Sequence, residues 1–135
     1  QPLPDAGYFS FEMNAGGCLL LYYITDPERL PEGGFRAYEK VPSELGRTVQ
    51  IRSSLPVVVD PEIATPVTWS LSCSIPIALL EHYVGRLSIE SGQVWRGNFY
   101  KCGDATSHPH WGMWSPVREG WSFHQPQAFG ELILE

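Results

Sequence analysis

Apolar and polar side chains alternate at every second position along several short stretches of this chain, and that pattern limits the fold more than any other feature. In "YFSFEMN" the residues Phe9, Phe11 and Met13 share one face of an extended segment. Alternation with a period of two is typical of a half-buried strand. Further strands are predicted at "RTVQIRSS", "VTWSLSCSIP", "VWRGNFYKCG" and "FGELILE", and the continuous apolar run "CLLLYYIT" predicts a more fully buried strand.

Glycine and proline divide the chain into short elements. The chain has 13 glycines and 12 prolines, and both residue types mark turns. The pair Gly16 and Gly17 predicts a tight hairpin between the first two strands. Only "PIALLEHYVG" has helical spacing, with Pro76 suited to its first turn and Gly85 ending it. The sequence therefore predicts one domain over residues 1–135, an all-β antiparallel β-sandwich of jelly-roll or immunoglobulin-like type with one short helix.

Charge and composition exclude several classes of function. The net charge is −6, and no run of Lys or Arg could follow a phosphate backbone, so nucleic acid is not expected as a partner. The longest apolar stretch, 18–24, is too short to cross a bilayer. No P-loop, nucleophile elbow or dinucleotide-binding fingerprint is present. Soluble binding or structural roles are favoured by elimination.

The cysteines do not indicate a disulfide scaffold. Cys18, Cys73 and Cys102 are three in number and lack CxxC spacing. One disulfide with one free thiol and three buried thiols both remain open, because lone cysteines often pack as small apolar residues. The cysteines therefore leave the cellular compartment undecided.

Two blocks of sequence resemble a known family. "YFSFEMNAGGCLLLYY" near the start, together with "WRGNFYKCGD", "SHPHWGMWSP" and "FHQPQAFGELILE" near the end, is similar to the family 9 carbohydrate-binding modules, and most of all to their divergent bacterial family 9-like branch. The resemblance implies a β-sandwich that binds sugar and performs no chemistry. In such modules a sugar ring, often at a reducing end, lies between two tryptophans, polar side chains surround it, and calcium ions brace the loops.

The resemblance also implies a setting for the protein. It predicts a saccharide ligand, a role in glycan degradation and an extracytoplasmic location, in the periplasm, at the cell surface or secreted. Members of the family carry strands before the "FxFExN" segment, whereas this chain starts almost on it. The sequence therefore predicts a truncated domain, a rearranged sandwich, or an N-terminal edge completed by a second chain or a neighbouring catalytic domain.

Five tryptophans are candidates for sugar stacking or for the core. Trp111 and Trp114 lie three apart in a loop-like run with Gly and Pro, and we predict that they form the aromatic wall of a shallow site. The alternative is that these rings cap the core. Trp69 and Trp95 lie in alternating strands and are predicted to be core, as is Phe99, which shares the face of Trp95 by alternation. Trp121 fits either role.

Polar residues on the other face of the same strand could ring a sugar. Arg96 offers a planar fork of donors, and Asn98 both donates and accepts, so the two are predicted ligand contacts. If this strand lies near the first strand, Glu12 and Asn14 would join them. A solvated sheet face with no ligand is the alternative.

A transition-metal site is a weaker hypothesis. His108 and His110 are two apart and could share one side of an extended segment, but they would need Asp104 or His124 to complete a zinc or copper site. Histidines that face solvent or make hydrogen bonds are the favoured interpretation.

Carboxylates supply two further hypotheses. Asp104, Glu12, Asp26 and Glu28 are the oxygens available for the structural calcium that the resemblance implies, although no EF-hand loop is present. A glycosidase needs two carboxylates across the scissile bond, and Glu12 with Asp104 is the pair that could be named.

The sequence thus predicts a non-catalytic sugar binder of modest affinity. A glycan-active hydrolase and a structural interaction module of a larger glycan-degrading protein are the alternatives.

Overall fold

The computed structural model describes residues 7–118 and 122–135. Two compact units divide these residues, one spanning 7–87 and the other 88–135, and each is described by itself. Every strand pairing within them is antiparallel. The prediction of a single domain over residues 1–135 stays a prediction, and Trp121 lies outside the described residues.

The first unit contains a three-stranded sheet, a two-stranded ribbon and two helices. Its elements are β1 (Tyr8–Met13), β2 (Leu19–Arg29), β3 (Phe35–Lys40), α1 (Ser43–Gly46), β4 (Gln50–Ser53), β5 (Leu71–Ser74) and α2 (Ile77–Val84). The sheet order is β1-β2-β3, and β4 pairs with β5. The long strand β2 is therefore the centre of this unit.

The turn between β1 and β2 forms because of two residues with complementary properties. Gly17 has a φ of +89°, a conformation that glycine adopts without steric cost. The Asn14 side chain accepts the backbone N–H of Cys18 at 2.8 Å, and its own carbonyl accepts the N–H of Gly17 at 3.0 Å. The hairpin predicted at this position is confirmed.

Helix α2 confirms the helix predicted at "PIALLEHYVG". Leu79 and Leu80 are buried, whereas Ile77 is exposed. Apolar residues from β2, β3 and the segments that follow β3 and α1 form the rest of the buried core of this unit. They are Leu21, Ile24, Phe35, Val41 and Val49. Burial of several such side chains is the main favourable term for a unit of this size.

The second unit consists of two ribbons. Its elements are β6 (Val94–Gly97), β7 (Tyr100–Gly103), β8 (His110–Met113), a 3₁₀ turn (Pro126–Ala128) and β9 (Gly130–Ile133). β6 pairs with β9, and β7 pairs with β8. The strand predicted as one continuous run over "VWRGNFYKCG" is thus two strands interrupted at Asn98 and Phe99.

The structure corrects several predicted burials. Phe99 is 62% exposed and is not core, because the break before β7 ends the alternation that had assigned it there. Trp95 is half-buried within β6, and Trp69 is half-buried but precedes β5. All three cysteines are free and exposed, so the structure shows neither three buried thiols nor a disulfide. Exposed Cys73 is also the exception on the predicted apolar face of β5.

Within the described residues, helices long and apolar enough to cross a membrane are absent.

Candidate functional site

The side-chain amide of Asn98 ties several backbone groups of the second unit together. Its Nδ2 donates to the Tyr100 hydroxyl at 2.9 Å and to the Ser115 carbonyl at 2.7 Å, and it lies 3.5 Å from the Ala128 carbonyl. Its Oδ1 accepts the N–H groups of Phe99 at 2.9 Å and of Ser115 at 2.8 Å. Because an asparagine amide has two donor hydrogens and one acceptor oxygen, these contacts use its capacity. Asn98 therefore fixes the local backbone.

Trp114 and Phe99 form an exposed aromatic pair beside this amide. Their ring centroids are 5.8 Å apart at an interplanar angle of 69°, an edge-to-face arrangement. The backbone N–H of Trp114 donates to the Phe99 carbonyl at 2.9 Å. A Cβ added to Gly130 would lie 2.7 Å from Trp114 Cζ3, so the indole fills the space of the missing side chain. Trp114 is 52% exposed, and the pair presents a fixed apolar surface to solvent.

Tyr100, the first residue of β7, points to the face opposite that of Phe99 and supports the Asn98 amide. Its ring stacks on Phe123 with centroids 4.4 Å apart and an interplanar angle of 14°. Burial raises the pKa of the Tyr100 hydroxyl, and the hydrogen bond from Asn98 partly offsets that rise. Tyr100 thus holds the far side of the Asn98 amide in place.

Trp111 is also 52% exposed, but the structure does not bring it to Trp114. Trp111 lies in β8 opposite Cys102, and Met113 lies opposite Tyr100. Since side chains two apart share a face of a strand, Trp111 lies on the Tyr100 face. Trp114 packs with Phe99, on the other face. The two tryptophans therefore do not form one continuous wall.

Arg96 is exposed and lies opposite Glu131 in the β6–β9 ribbon. Its Nη2 donates to the Phe129 carbonyl at 2.8 Å, and its remaining N–H groups make no hydrogen bond to a described residue. Gly130 precedes Glu131, so their side-chain directions point to opposite faces. Arg96 shares the face of its partner Glu131, whereas the Trp114 indole lies on the opposite face, where a side chain at Gly130 would point. The Arg96 guanidinium has further N–H groups that could donate to a ligand.

Glu12 and Asn14 belong to the first unit, and both are exposed. The Glu12 carboxylate accepts the Ser10 hydroxyl at 3.3 Å. The Asn14 side chain caps the β1–β2 turn through the Cys18 N–H. The structure accounts for Asn14 through this turn, and it leaves ligand contact by both residues as a prediction.

The two histidines of the "SHPHW" motif make local hydrogen bonds. His110 Nδ1 lies 2.8 Å from the His108 carbonyl, and His108 Nδ1 lies 3.0 Å from the Ser107 hydroxyl. A Cβ on Gly103 would meet the His110 ring at 2.6 Å, so this ring lies over the glycine. Within residues 7–118 and 122–135, no group of three His, Cys, Asp or Glu side chains is placed to hold a metal ion.

The carboxylates named for calcium do not fit a calcium site. Asp26 and Glu28 both form ion pairs with the Arg36 guanidinium. Asp104 accepts the N–H of its neighbour Ala105 at 2.9 Å. Calcium requires six to eight converging oxygens, whereas here a cationic side chain already lies between the two nearest carboxylates. We derive no role for calcium from these residues.

Sequence reasoning missed Phe99 as an exposed partner of Trp114. The signal that could have identified it is Asn98, because asparagine side chains often bond to nearby backbone groups and compete with strand pairing. The bond from the Phe99 N–H to Asn98 Oδ1 is of this kind.

Comparison with solved structures finds a similar protein. A candidate carbohydrate-binding protein from Bacteroides uniformis ATCC 8492 has 30% sequence identity to this chain and a TM-score of 0.75. The similarity covers 100% of this chain and 58% of that protein, so the chain spans little more than half of its length. The predicted fold class, an all-β antiparallel β-sandwich, is confirmed.

Residues 1–134 match the family described as Carbohydrate-binding family 9. Since the match spans nearly the whole sequence, the chain belongs to carbohydrate-binding family 9, and the family resemblance seen in the sequence is confirmed. This family consists of carbohydrate-binding, non-catalytic modules. No curated protein shows significant similarity to the chain.

Proposed function

We propose that this chain binds a saccharide, without catalysis, on the surface formed by Trp114 and Phe99, here called the aromatic surface. The observation that carries the proposal is that Trp114 and Phe99, in edge-to-face contact, stay 52% and 62% exposed. Hydrogen bonds of their backbone groups, one between the two residues and one to Asn98, hold the rings in place. Sugars have apolar C–H faces, and a flat, immobile ring binds such a face at low entropic cost. Membership of a carbohydrate-binding family supports the same ligand class.

Asn98 and Gly130 are positioning residues in this proposal. The Asn98 amide spends its hydrogen bonds on the chain itself, so it shapes the aromatic surface rather than contacting the sugar. Gly130 leaves room for the indole of Trp114. Both residues act on the ligand through the orientation of the rings.

Four other predicted ligand contacts stay predictions. Arg96 and Trp111 are exposed and offer a donor fork and a second ring, but each lies on a face other than that of Trp114. Glu12 and Asn14 are exposed in the first unit. A longer glycan could use some of them, and single substitutions test each one.

The charge of the chain supports a neutral ligand. A net charge of −6 disfavours acidic polysaccharides. A single pair of exposed rings with few free hydrogen-bonding groups beside it supports modest affinity, because little free energy remains after the costs of binding. Preference for a reducing end and an extracytoplasmic location are proposals that rest on the family.

A binder rather than an enzyme is supported by the two carboxylates named for hydrolysis. Glu12 accepts the hydroxyl of Ser10, and Asp104 accepts the N–H of Ala105. Each carboxylate thus makes a hydrogen bond within its own local segment. A glycosidase needs its two carboxyl groups at a fixed separation across one bond, whereas membership of a carbohydrate-binding family supports a binder without catalysis.

A calorimetric titration tests the proposal. The ligands are glucose, cellobiose and xylobiose, each compared with its reduced alditol and each with and without calcium. Binding of a free sugar that Trp114→Ala weakens supports the aromatic surface. Equal binding of sugar and alditol would remove the reducing-end preference alone. A folded protein that binds none of them would favour the interaction-module alternative.

A further inference from the structure

A second feature of the molecule, an open cleft in the first unit, has the chemistry of a ligand site. The cleft has a volume of about 630 Å³ and is lined by side chains from β2, β3 and α2, among them Tyr23, Glu39, His82 and Tyr83. None of the site residues predicted from the sequence lines it.

The rings of Tyr23 and Tyr83 line the cleft, and Phe9 packs against both of them. The centroids of Tyr23 and Tyr83 are 4.9 Å apart, and Phe9 lies 5.0 Å from Tyr23 and 5.5 Å from Tyr83. The strand register places Phe9 and Glu39 on either side of Tyr23, so all three share one face of the sheet. Helix α2 contributes Tyr83 and the adjacent His82 ring.

A carboxylate and a hydroxyl lie next to these rings. The Tyr83 hydroxyl donates to Glu39 Oε1 at 3.1 Å. Burial, with help from Glu39, raises the pKa of Tyr83 to about 12, so this donor keeps its proton at physiological pH. Glu39 is exposed, and its Oε2 makes no hydrogen bond to a described residue. The cleft therefore offers an anchored acceptor beside an aromatic wall.

The charges around the cleft restrict what could bind there. Arg36, which also lines the cleft, is already paired with Asp26 and Glu28. With the Glu39 carboxylate beside the rings, an anionic ligand would be repelled. A purely apolar ligand would leave that carboxylate desolvated and unpaired, which is costly. Hydroxyl groups on a ring with C–H faces satisfy both the acceptor and the aromatic wall.

We propose that this cleft is a second saccharide site, in which sugar hydroxyls donate to Glu39 and the sugar ring packs on Tyr23 and Tyr83. The ligand class rests on the proposed function, but the site is separate from the aromatic surface and can fail independently of it.

The test is an NMR titration of the isotope-labelled chain with cellobiose, xylobiose and glucose, which reports on each site separately. We expect backbone amide shifts at Tyr23, Glu39 and Tyr83 as well as at Phe99 and Trp114. Glu39→Gln should weaken binding at the first set about tenfold, since a charged acceptor is replaced by a neutral amide. Glu44→Gln, an exposed carboxylate on α1 that does not line the cleft, is the matched control.

Further variants separate the inference from the proposed function. Tyr83→Phe keeps the ring and should also weaken the first set, whereas Trp114→Ala should affect only the second. Shifts confined to Phe99 and Trp114, unchanged by Glu39→Gln, would overturn the cleft site and leave the proposed function standing. Shifts confined to Tyr23, Glu39 and Tyr83 would support the cleft site and would contradict sugar binding at the aromatic surface.

Two remaining outcomes overturn the cleft site in other ways. A folded chain that shows no shifts with any of the three sugars contradicts both proposals. Tetramethylammonium is included because a carboxylate beside aromatic rings can also bind a cation. Cleft shifts with tetramethylammonium and none with the sugars would show that the site takes cations instead.

Discussion

The indole of Trp114 lies over Gly130, in the space that a side chain at position 130 would occupy. A Cβ there would come within 2.7 Å of Cζ3 and 3.0 Å of Cη2. The exposed face of Trp114 is therefore set by a glycine that is 16 residues away in sequence (130 − 114). This contact makes the orientation of the ring testable apart from its presence.

The first prediction concerns the ring itself. Trp114→Ala should weaken saccharide binding about tenfold, which is about 1.4 kcal/mol, because a stacking surface is lost. Calorimetric titration measures the change. Trp111→Ala is the comparison and should weaken binding less, since Trp111 is equally exposed but lies on another face. An equal loss in both variants would restore the two-tryptophan wall predicted from the sequence.

The second prediction concerns the orientation of that ring. Gly130→Ala should displace the indole and weaken binding severalfold while the chain stays folded, because the added methyl group overlaps the ring. Binding and tryptophan fluorescence measure the change. Gly112→Ala is the control, since its added methyl group would find nothing nearer than Lys101 Cβ at 3.7 Å. Unchanged binding in Gly130→Ala would mean that the indole orientation does not matter.

The third prediction concerns Asn98. Asn98→Ala should lower the free energy of unfolding by about 2 kcal/mol or more, because the partly buried N–H and carbonyl of Ser115 lose their partner. Urea unfolding measures it. Asn14→Ala, which removes one exposed hydrogen bond, should cost less than about 1 kcal/mol. Equal costs would argue against Asn98 as the organising residue of the second unit.

The fourth prediction concerns alkaline stability. The pKa of Tyr83 rises from 10.0 to about 12 on folding. The unfolded chain therefore loses this proton at lower pH than the folded chain, so the stability contributed by Tyr83 is complete below pH 10 and is lost as the pH rises through 12. Tyr83→Phe should make the fall in stability over this range shallower in urea unfolding. Tyr38→Phe removes an exposed phenol and is the control; the same change in both variants would contradict the assignment.

The fifth prediction concerns calcium. Because Arg36 already forms ion pairs with Asp26 and Glu28, removal of calcium with EDTA should leave both the thermal unfolding midpoint and sugar binding unchanged. Differential scanning calorimetry with EDTA and then with excess calcium measures this. A lower midpoint in EDTA that calcium restores would show that other oxygens of the chain hold the ion. Arg36→Ala shows whether the ion pairs matter, since it frees the carboxylates of Asp26 and Glu28 for a cation.

Local pattern determined most of the elements. Alternation in "YFSFEMN" and the Gly16-Gly17 pair predicted β1 and its hairpin, and the helical spacing after Pro76 predicted α2. These features depend on residues close together in sequence, whose side-chain period and backbone preferences act before any distant contact forms. The rare residues of the C-terminal blocks identified the family for the same reason, because they can be read without knowing the fold.

Tertiary structure alone decided which rings are exposed and which polar groups are already in use. The predicted strand is interrupted at Asn98, whose side chain bonds to Ser115 and lies near the Ala128 carbonyl, both far along the chain. Phe99, which follows the interruption, is exposed. The cleft at Tyr23 and Glu39 exists because α2 brings Tyr83 against a sheet face that alternation marked as merely half-buried. Contacts between distant segments have no period in the sequence, so pattern could name the candidates but not choose among them.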